Sequence, residues 1–206
     1  MKNLNLSLYL VTDKSENEEK FLKTIEEAIK GGVSVVQIRE KTKDTLDFYN
    51  LACKVKEITS KYNVPLIIND RLDIALAIDA DGVHVGQSDM PCEICRRLIG
   101  DSKILGVSAA TVDEAVKAEN DGADYIGSGA VFPTSTKKDA SYISKKELTE
   151  IVESVNIPVV AIGGITLENA HELLDSGISG LSVVSAIMSS DNPKESSKKL
   201  LNIFNS

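Results

Sequence analysis

Eight copies of one local pattern follow each other along this 206-residue chain. Each copy has a short apolar run that is typical of a β-strand, a polar loop, and an amphipathic run that is typical of a helix. The first copy joins LYLVTD to a helical stretch that ends at Gly31 and Gly32, since glycine often closes a helix. Consecutive strand–helix units require parallel strands with right-handed crossovers. Eight of them predict a single-domain (β/α)8 TIM barrel of the α/β class over residues 1–206.

An open, doubly wound sheet is the alternative architecture, because several of the predicted strands are short. The sequence disfavours this alternative, because no G-x-G-x-x-G turn follows the first strand. No low-complexity linker or block of like charge divides the chain, which favours one domain.

Composition and charge limit the partners of this chain. The net charge of −8 argues against a general nucleic-acid or anionic-membrane surface, so small molecules are the expected partners. No apolar run approaches the roughly 20 residues that span a membrane, and the N-terminus has no small-residue cleavage site, so we expect a cytoplasmic location. Three cysteines are too few for a disulfide framework, and we interpret Cys92 and Cys95 as structural rather than redox-active or metal-binding.

Polar residues cluster where the predicted strands end, which is the rim that carries the chemistry in a parallel barrel. On strand two, Gln37, Arg39 and Lys41 are expected to share one face, because side chains alternate along a strand. The amino ends of the strands are plain by comparison. The other polar strand ends are Asn69 and Asp70, Asp89, Ser108, the loop PTSTKKD after strand six, Gly163 and Gly164, and Ser185.

These residue types suit the binding of phosphates. Arg39, Lys41 and Lys137 are cations with hydroxyl side chains nearby, which can hold phosphoryl oxygens. Asp70 and Asp89 are carboxylates at neighbouring strand ends, a natural seat for Mg²⁺, which keeps waters and bridges to substrate phosphates. The backbone after strand seven and the turn after strand eight form the phosphate site that this fold often has. We therefore expect two anionic ligands, one of them a diphosphate with Mg²⁺.

Each of these features also has a purely structural interpretation. Arg39 and Glu40 could form a surface ion pair, and Asp70 or Asp89 could cap the helix that follows it. The two glycines after strand seven could form only a tight turn. The functional interpretation depends on all of these residues falling on one rim. His84 is interpreted as a hydrogen-bonded interior residue and His171 as part of a helix face.

Seven segments, in order, resemble the thiamine-phosphate synthase (thiamine-phosphate pyrophosphorylase) family. They are VVQIREK, IINDR, ADGVHVGQSDMP, ILGVSAAT, GAVFPTSTKKDA, VVAIGGI and GLSVVSAI, within residues 8–187. The resemblance implies a TIM-barrel transferase that joins hydroxymethylpyrimidine diphosphate to a thiazole phosphate, or to its carboxylated form, and releases pyrophosphate. It also implies one Mg²⁺ per subunit.

The resemblance assigns roles to individual residues of this chain. Asp70 and Asp89 would bind Mg²⁺, while Arg39, Lys41, Ser108 and Lys137 would be catalytic. The pyrimidine diphosphate would contact Gln37, Ile38, Arg39, Glu40, Lys41, Asn69, Ser108 and Lys137, and the thiazole phosphate would contact Thr134, Ser135, Thr136, Gly164, Val184 and Ser185.

The implied mechanism needs a metal and cations at the leaving diphosphate and no strong general base. It agrees with the sequence, in which no nucleophile triad is visible. Three alternatives stay open: a TenI-like thiazole tautomerase, a non-catalytic regulatory barrel that binds thiazole phosphate, and a sugar-phosphate isomerase. The full set of rim charges favours the synthase over these.

Two further expectations concern movement and assembly. The loop at 133–144 is long for a connection over an active site, which predicts a lid. The sequence does not determine how many chains associate, and a homo-oligomer is compatible with it.

Overall fold

Eight parallel strands form a closed barrel in the computed structural model, which describes residues 4–14, 17–134 and 142–206. Each strand pairs with the next one along the chain, and the last strand pairs with the first. The predicted (β/α)8 TIM barrel is therefore confirmed. The strands are β1 Leu8–Val11, β2 Val35–Ile38, β3 Leu66–Asn69, β4 Gly82–Val85, β5 Ile104–Ser108, β6 Tyr125–Ser128, β7 Val159–Ile162 and β8 Gly180–Val183.

Helices surround the barrel, and the sequence marks where several of them begin. Five helices begin after a polar side chain that accepts a hydrogen bond from the first turn: Asn17, Asp44, Thr111, Ser144 and Asn192. The connection between β7 and β8 is a 3-10 helix, Ala170–Ser176, rather than an α-helix. The α-helices are α1 Glu18–Lys30, α2 Thr45–Lys61, α3 Leu72–Ala77, α4 Cys92–Ile99, α5 Val112–Asn120, α6 Lys145–Ser154, α7 Ser185–Met188 and α8 Pro193–Phe204.

The core has two parts because strand side chains alternate between the helices and the barrel interior. Leu8, Val36, Ile68 and other outward residues pack against the helices. Inside the barrel a smaller apolar cluster contains Val35 and Ile67, together with Leu6, Tyr9, Val11, Ile104, Tyr125 and Val160. This inner cluster fills the barrel below the strand ends, where the polar side chains begin.

No helix among the described residues is long and apolar enough to cross a membrane.

Arg96 on α4 ties together the amino-terminal ends of neighbouring strands. Its guanidinium donates to Asp124 Oδ2 at 2.7 Å and to the carbonyl oxygens of Gly100, Lys103 and Gly122 at 2.7–3.0 Å. Asp124 Oδ2 in turn accepts from the backbone N–H of Leu105 at 2.8 Å. The group is largely shielded from water, so these hydrogen bonds keep more of their strength than those of an exposed arginine.

We expect Arg96→Ala to lower the free energy of unfolding by about 2 kcal/mol or more, because several partners would be left unsatisfied. Urea denaturation measures the change. Arg97→Ala is the matched control, since Arg97 is the next residue of α4 and its side chain is exposed. Equal losses of stability in the two variants would contradict the structural role of Arg96.

Candidate active site

A cavity of about 730 Å³ opens at the carboxyl ends of the strands, and every strand or the loop after it contributes to its wall. This is the rim on which the sequence predicts the site. The cavity lining includes eleven of the predicted residues: Gln37, Arg39, Lys41, Asn69, Asp70, Asp89, Ser108, Thr134, Gly164, Val184 and Ser185. Three further predicted residues, Ser135, Thr136 and Lys137, lie outside the described residues, as does much of the loop predicted to be a lid.

The end of β2 differs from the sequence prediction. The strand ends at Ile38, so Arg39 and Lys41 belong to a loop and do not continue the alternation. Gln37 does point into the barrel, where it is buried. Arg39 still reaches the cavity, because the hydroxyl of buried Thr12 accepts a hydrogen bond from its backbone N–H at 3.1 Å. The Thr12 side chain, which directly follows β1, therefore holds the backbone of Arg39 where strand pairing has ended.

Ile38 and Glu40 are the two described residues of the predicted set whose side chains do not line the cavity. Ile38 is fully buried between the strands and the helices, because alternation turns it away from Gln37. Its side chain is therefore not available to a ligand in the cavity, and the assignment of Ile38 to the pyrimidine diphosphate stays a prediction.

Glu40 closes its own loop. Its carboxylate accepts hydrogen bonds from the backbone N–H of Thr42 at 2.7 Å, the Thr42 hydroxyl at 2.8 Å and the Lys43 N–H at 3.2 Å. Partial burial raises the pKa of Glu40, but these hydrogen bonds outweigh burial and leave that pKa below its usual value. Glu40 thus shapes the loop that presents Arg39 and Lys41, and the surface ion pair with Arg39 is not its role.

Asp70 and Asp89 come together at the mouth of the cavity, as the sequence predicts. Burial raises the pKa of Asp89, and the nearby Asp70 carboxyl raises it further, against the opposing effects of the Gly86 N–H and of Lys41. Lys41 forms an ion pair with Asp70. Two close carboxylates at a partly shielded position form an anionic site that attracts a cation.

Neither aspartate serves as a helix cap. The residue before α3 is Arg71, which makes no side-chain capping bond, while Asp70 has a positive φ of 59°. The residue before α4 is Pro91, and Asp89 Oδ2 instead accepts from the Gly86 N–H at 2.8 Å. Both carboxylates thus line the cavity, one paired with Lys41 and the other with the Gly86 N–H, and neither has the helix-capping role of the alternative interpretation.

The donor set at Asp70 and Asp89 fits Mg²⁺. Among the described residues, no group of three or more His, Cys, Asp or Glu side chains could enclose a metal ion. Mg²⁺ is commonly held by only one or two carboxylates, with water and substrate phosphate as the remaining ligands. A pair of oxygen ligands beside cationic side chains therefore matches this ion better than Zn²⁺, which prefers closed nitrogen and sulfur sites.

The opposite wall of the cavity is neutral and formed largely by backbone. Gly163 and Gly164 have φ values of 101° and 66°, and a Cβ at Gly164 would lie 2.5 Å from the Pro133 carbonyl oxygen. Asn169 holds the turn by donating to the Gly164 carbonyl at 2.9 Å. Ser185, exposed at the first residue of α7, lies on the same side of the cavity lining. This close-packed turn requires glycine and, together with the Ser185 hydroxyl, lines this side of the cavity.

The cavity floor contains a connected set of buried polar side chains. Gln37 Nε2 donates to the Tyr9 hydroxyl at 2.7 Å, and the Tyr9 and Tyr125 hydroxyls are 2.6 Å apart. Tyr125 Oη lies 2.9 Å from His84 Nδ1, and His84 Nε2 lies 2.9 Å from Ser108 Oγ. Burial raises the pKa of both tyrosines well above the usual value, so both keep their protons.

The sequence analysis identified His84 as a hydrogen-bonded interior residue, and the structure agrees. It missed Tyr9, Tyr125 and Thr12. The signal for Tyr9 was present, because two-residue alternation places it and Val11 on the face opposite Leu8 and Leu10. What the sequence could not give is the register that joins Tyr9 to residues from distant strands.

The interpretation of Cys92 and Cys95 as structural stays a prediction, with which their surroundings agree. Burial raises the pKa of the Cys92 thiol to about 11 and also raises that of Cys95. Their sulfurs contact the carbonyl oxygens of Ala118 and Met90 rather than each other. Thiols with raised pKa values are poor nucleophiles and poor metal ligands.

Comparisons with known proteins identify the family of this chain. The family model described as thiamine monophosphate synthase matches residues 8–187. A thiamine-phosphate synthase of Methanobrevibacter smithii is 72% identical over 204 residues, which are 99% of this chain and 98% of that protein, and one of Clostridium acetobutylicum is 55% identical over 98% and 97%.

A solved structure is similar over nearly the whole chain. The thiamine phosphate pyrophosphorylase from Pyrococcus furiosus superposes with a TM-score of 0.89 at 40% identity, covering 98% of this chain and 96% of that one. The family resemblance stated from the sequence is thereby confirmed, and this chain belongs to the thiamine monophosphate synthase family.

Proposed function

We propose that this chain condenses hydroxymethylpyrimidine diphosphate with a thiazole phosphate to give thiamine phosphate and pyrophosphate. The observation that carries the proposal is the division of one cavity into two walls. Arg39, Lys41 and the two aspartates form a charged wall, while the turn at Gly164 and the hydroxyl of Ser185 form a neutral wall. One wall suits a diphosphate with a metal, and the other suits a phosphate monoester.

The charged wall would hold the leaving group. Arg39 and Lys41 donate to the diphosphate oxygens, and Lys41 changes partner from Asp70 to the ligand. Asp70 and Asp89 would hold Mg²⁺, which supplies positive charge that stabilises the departing diphosphate. The ion pair between Lys41 and Asp70 keeps both groups at the mouth of the cavity before the ligand binds.

The chemistry involves one bond broken and one bond made. The bond from the pyrimidine methylene carbon to the diphosphate oxygen breaks, and its electron pair leaves with the diphosphate. The lone pair of the thiazole nitrogen then forms the new carbon–nitrogen bond. No proton is removed from either reacting atom, so the step requires no general base, and cations placed where the negative charge develops are the main catalytic contribution.

The neutral wall would position the thiazole phosphate so that its nitrogen faces the methylene carbon. Gly164, Val184, Ser185 and Thr134 line the cavity there. We place Ser135, Thr136 and Lys137 at the same site as part of the proposal. Holding two reactants in one cavity lowers the entropic cost of their meeting.

Three further parts of the proposal concern the setting of the enzyme. We propose a cytoplasmic, Mg²⁺-dependent transferase that acts on small molecules and binds no nucleic acid. A homo-oligomer is compatible with this function. The TenI-like tautomerase and the regulatory barrel are not favoured, because neither needs the paired carboxylates and the cations on the charged wall.

Pyrophosphate release tests the function directly. The assay contains Mg²⁺ and both substrates, and three controls omit the metal or one substrate. We expect release only when all three are present. Release without the thiazole phosphate would indicate simple hydrolysis, and no release alongside binding of thiazole phosphate would move the chain to the tautomerase or regulatory alternative.

We expect Asp89→Asn to raise the Mg²⁺ concentration needed for half-maximal activity by about tenfold or more, because one of two charged ligands is lost. A Mg²⁺ titration of the pyrophosphate assay measures this shift. Asp101→Asn is the control, since Asp101 is an exposed carboxylate on the loop before β5, at the other end of the barrel. An unchanged Mg²⁺ requirement in Asp89→Asn would remove Asp89 from the metal site.

Arg39→Ala should raise the KM for the pyrimidine diphosphate by about 10- to 100-fold, since charge-assisted hydrogen bonds to the diphosphate are lost. The KM for the thiazole phosphate should change little, because that ligand occupies the neutral wall. Steady-state kinetics with each substrate varied in turn measures both values. A larger effect on the thiazole phosphate would reverse the assignment of the two walls.

A further inference from the structure

The polar side chains on the cavity floor form a continuous chain of five residues. In order they are Gln37 on β2, Tyr9 on β1, Tyr125 on β6, His84 on β4 and Ser108 on β5, joined by contacts of 2.6–2.9 Å. The first four are buried, and Ser108 is partly exposed at the cavity wall. This hydrogen-bonded chain crosses the barrel beneath the mouth and ends at the cavity wall.

One direction of donation gives every contact in this hydrogen-bonded chain a donor and an acceptor. The amide nitrogen of Gln37 can only donate, so Tyr9 accepts from it. In this direction Tyr9 donates to Tyr125, and Tyr125 donates to His84 Nδ1, which is then the acceptor nitrogen of the ring. The other nitrogen, Nε2, then carries the hydrogen and donates to Ser108 Oγ.

Gly106 makes the central contact of the chain possible. In the sheet, Gly106 of β5 lies opposite both His84 of β4 and Tyr125 of β6. A Cβ at Gly106 would lie 2.1 Å from Tyr125 Cζ and 2.5 Å from His84 Nδ1. The two side chains meet in the space that this strand leaves empty.

We propose that Gln37, Tyr9, Tyr125 and His84 are positioning residues that hold His84 in the Nε2–H form and thereby make Ser108 a fixed hydrogen-bond donor to the substrate. Because the Ser108 oxygen accepts from His84, its own proton is directed away from the ring and into the cavity. A serine without this arrangement rotates freely and loses entropy when it binds a ligand. The effect on activity rests on the proposed function, whereas the state of His84 does not.

The first test is the tautomer of His84 in the full-length protein without substrate. The chain has two histidines, so ¹⁵N-histidine labelling gives few NMR signals, and His171→Gln identifies those of His171. We expect Nδ1 of His84 to show the shift of an unprotonated nitrogen and Nε2 that of a protonated one. A protonated Nδ1 would overturn the proposal, whether or not the enzyme is active.

Tyr125→Phe removes the donor to His84 and keeps the ring. We expect the His84 signals to shift towards the opposite tautomer, in which the Ser108 proton turns to the ring. Tyr62→Phe is the matched control, because it removes a tyrosine hydroxyl whose hydrogen bond, to Glu26 on an outer helix at 2.7 Å, lies outside the hydrogen-bonded chain. Unchanged His84 signals in folded Tyr125→Phe would contradict the proposed series of hydrogen bonds. If this variant fails to fold, the tautomer of His84 in the unsubstituted protein decides the question.

A double-mutant cycle tests whether Tyr125 acts through Ser108. We expect Tyr125→Phe to lower kcat/KM by about five- to tenfold, and Ser108→Ala to lower it at least as much. In the Ser108→Ala background, Tyr125→Phe should have less than about a twofold further effect. Effects that multiply in the double variant would show a general structural role instead. If the unsubstituted protein releases no pyrophosphate, the proposed function fails. The NMR measurement still tests the tautomer of His84 independently of activity.

Discussion

Closure of the eight-stranded parallel sheet is the constraint on which the rest of this molecule depends. Closure leaves each strand only two or three inward positions, because the strands have four or five residues and their side chains alternate. On β2 and β3 the first inward residues are Val35 and Ile67, and the next are Gln37 and Asn69. The interior therefore changes from apolar core to polar cavity within one step of two residues, and the floor of the site is also the upper layer of the core.

The short strands explain why loops and buried anchors complete the site. β2 ends at Ile38, and Arg39 would have no fixed position without the bond from its N–H to Thr12. Glu40 fixes the next part of the same loop by accepting three hydrogen bonds. The charges of the site are thus placed by uncharged hydroxyls and by backbone groups. Such placement costs little electrostatic energy, because few charges have to be paired before a ligand binds. Among the described residues of this loop, the ion pair is the one between Lys41 and Asp70.

Much of this arrangement could be predicted from the sequence, because it follows from periodicity. Repeated strand–helix units gave the barrel, and parallel strands put Asp70 and Asp89 on one rim. The sequence is less informative where local and tertiary geometry differ. Alternation beside Gln37 turns the Ile38 side chain outward, and the Glu40 carboxylate accepts hydrogen bonds from its own loop, so the assignment of these two residues to the ligand stays a prediction. Tyr9 and Tyr125 are 116 positions apart, and only the register of the closed sheet brings their hydroxyls together.

The glycines of β5 and β6 show how the same register links packing to chemistry. A side chain at Gly106 would occupy the space of the Tyr125 hydroxyl, and one at Gly127 would lie 3.1 Å from His84 Cε1. Large polar side chains on β4 and β6 therefore need small residues on the strands beside them. Pairing large side chains with glycines in this way keeps the cavity floor densely packed. Dense packing holds hydroxyl and imidazole groups in one orientation. A substitution at Gly106 would then disturb the direction of a hydrogen bond before it disturbed any residue that touches the ligand.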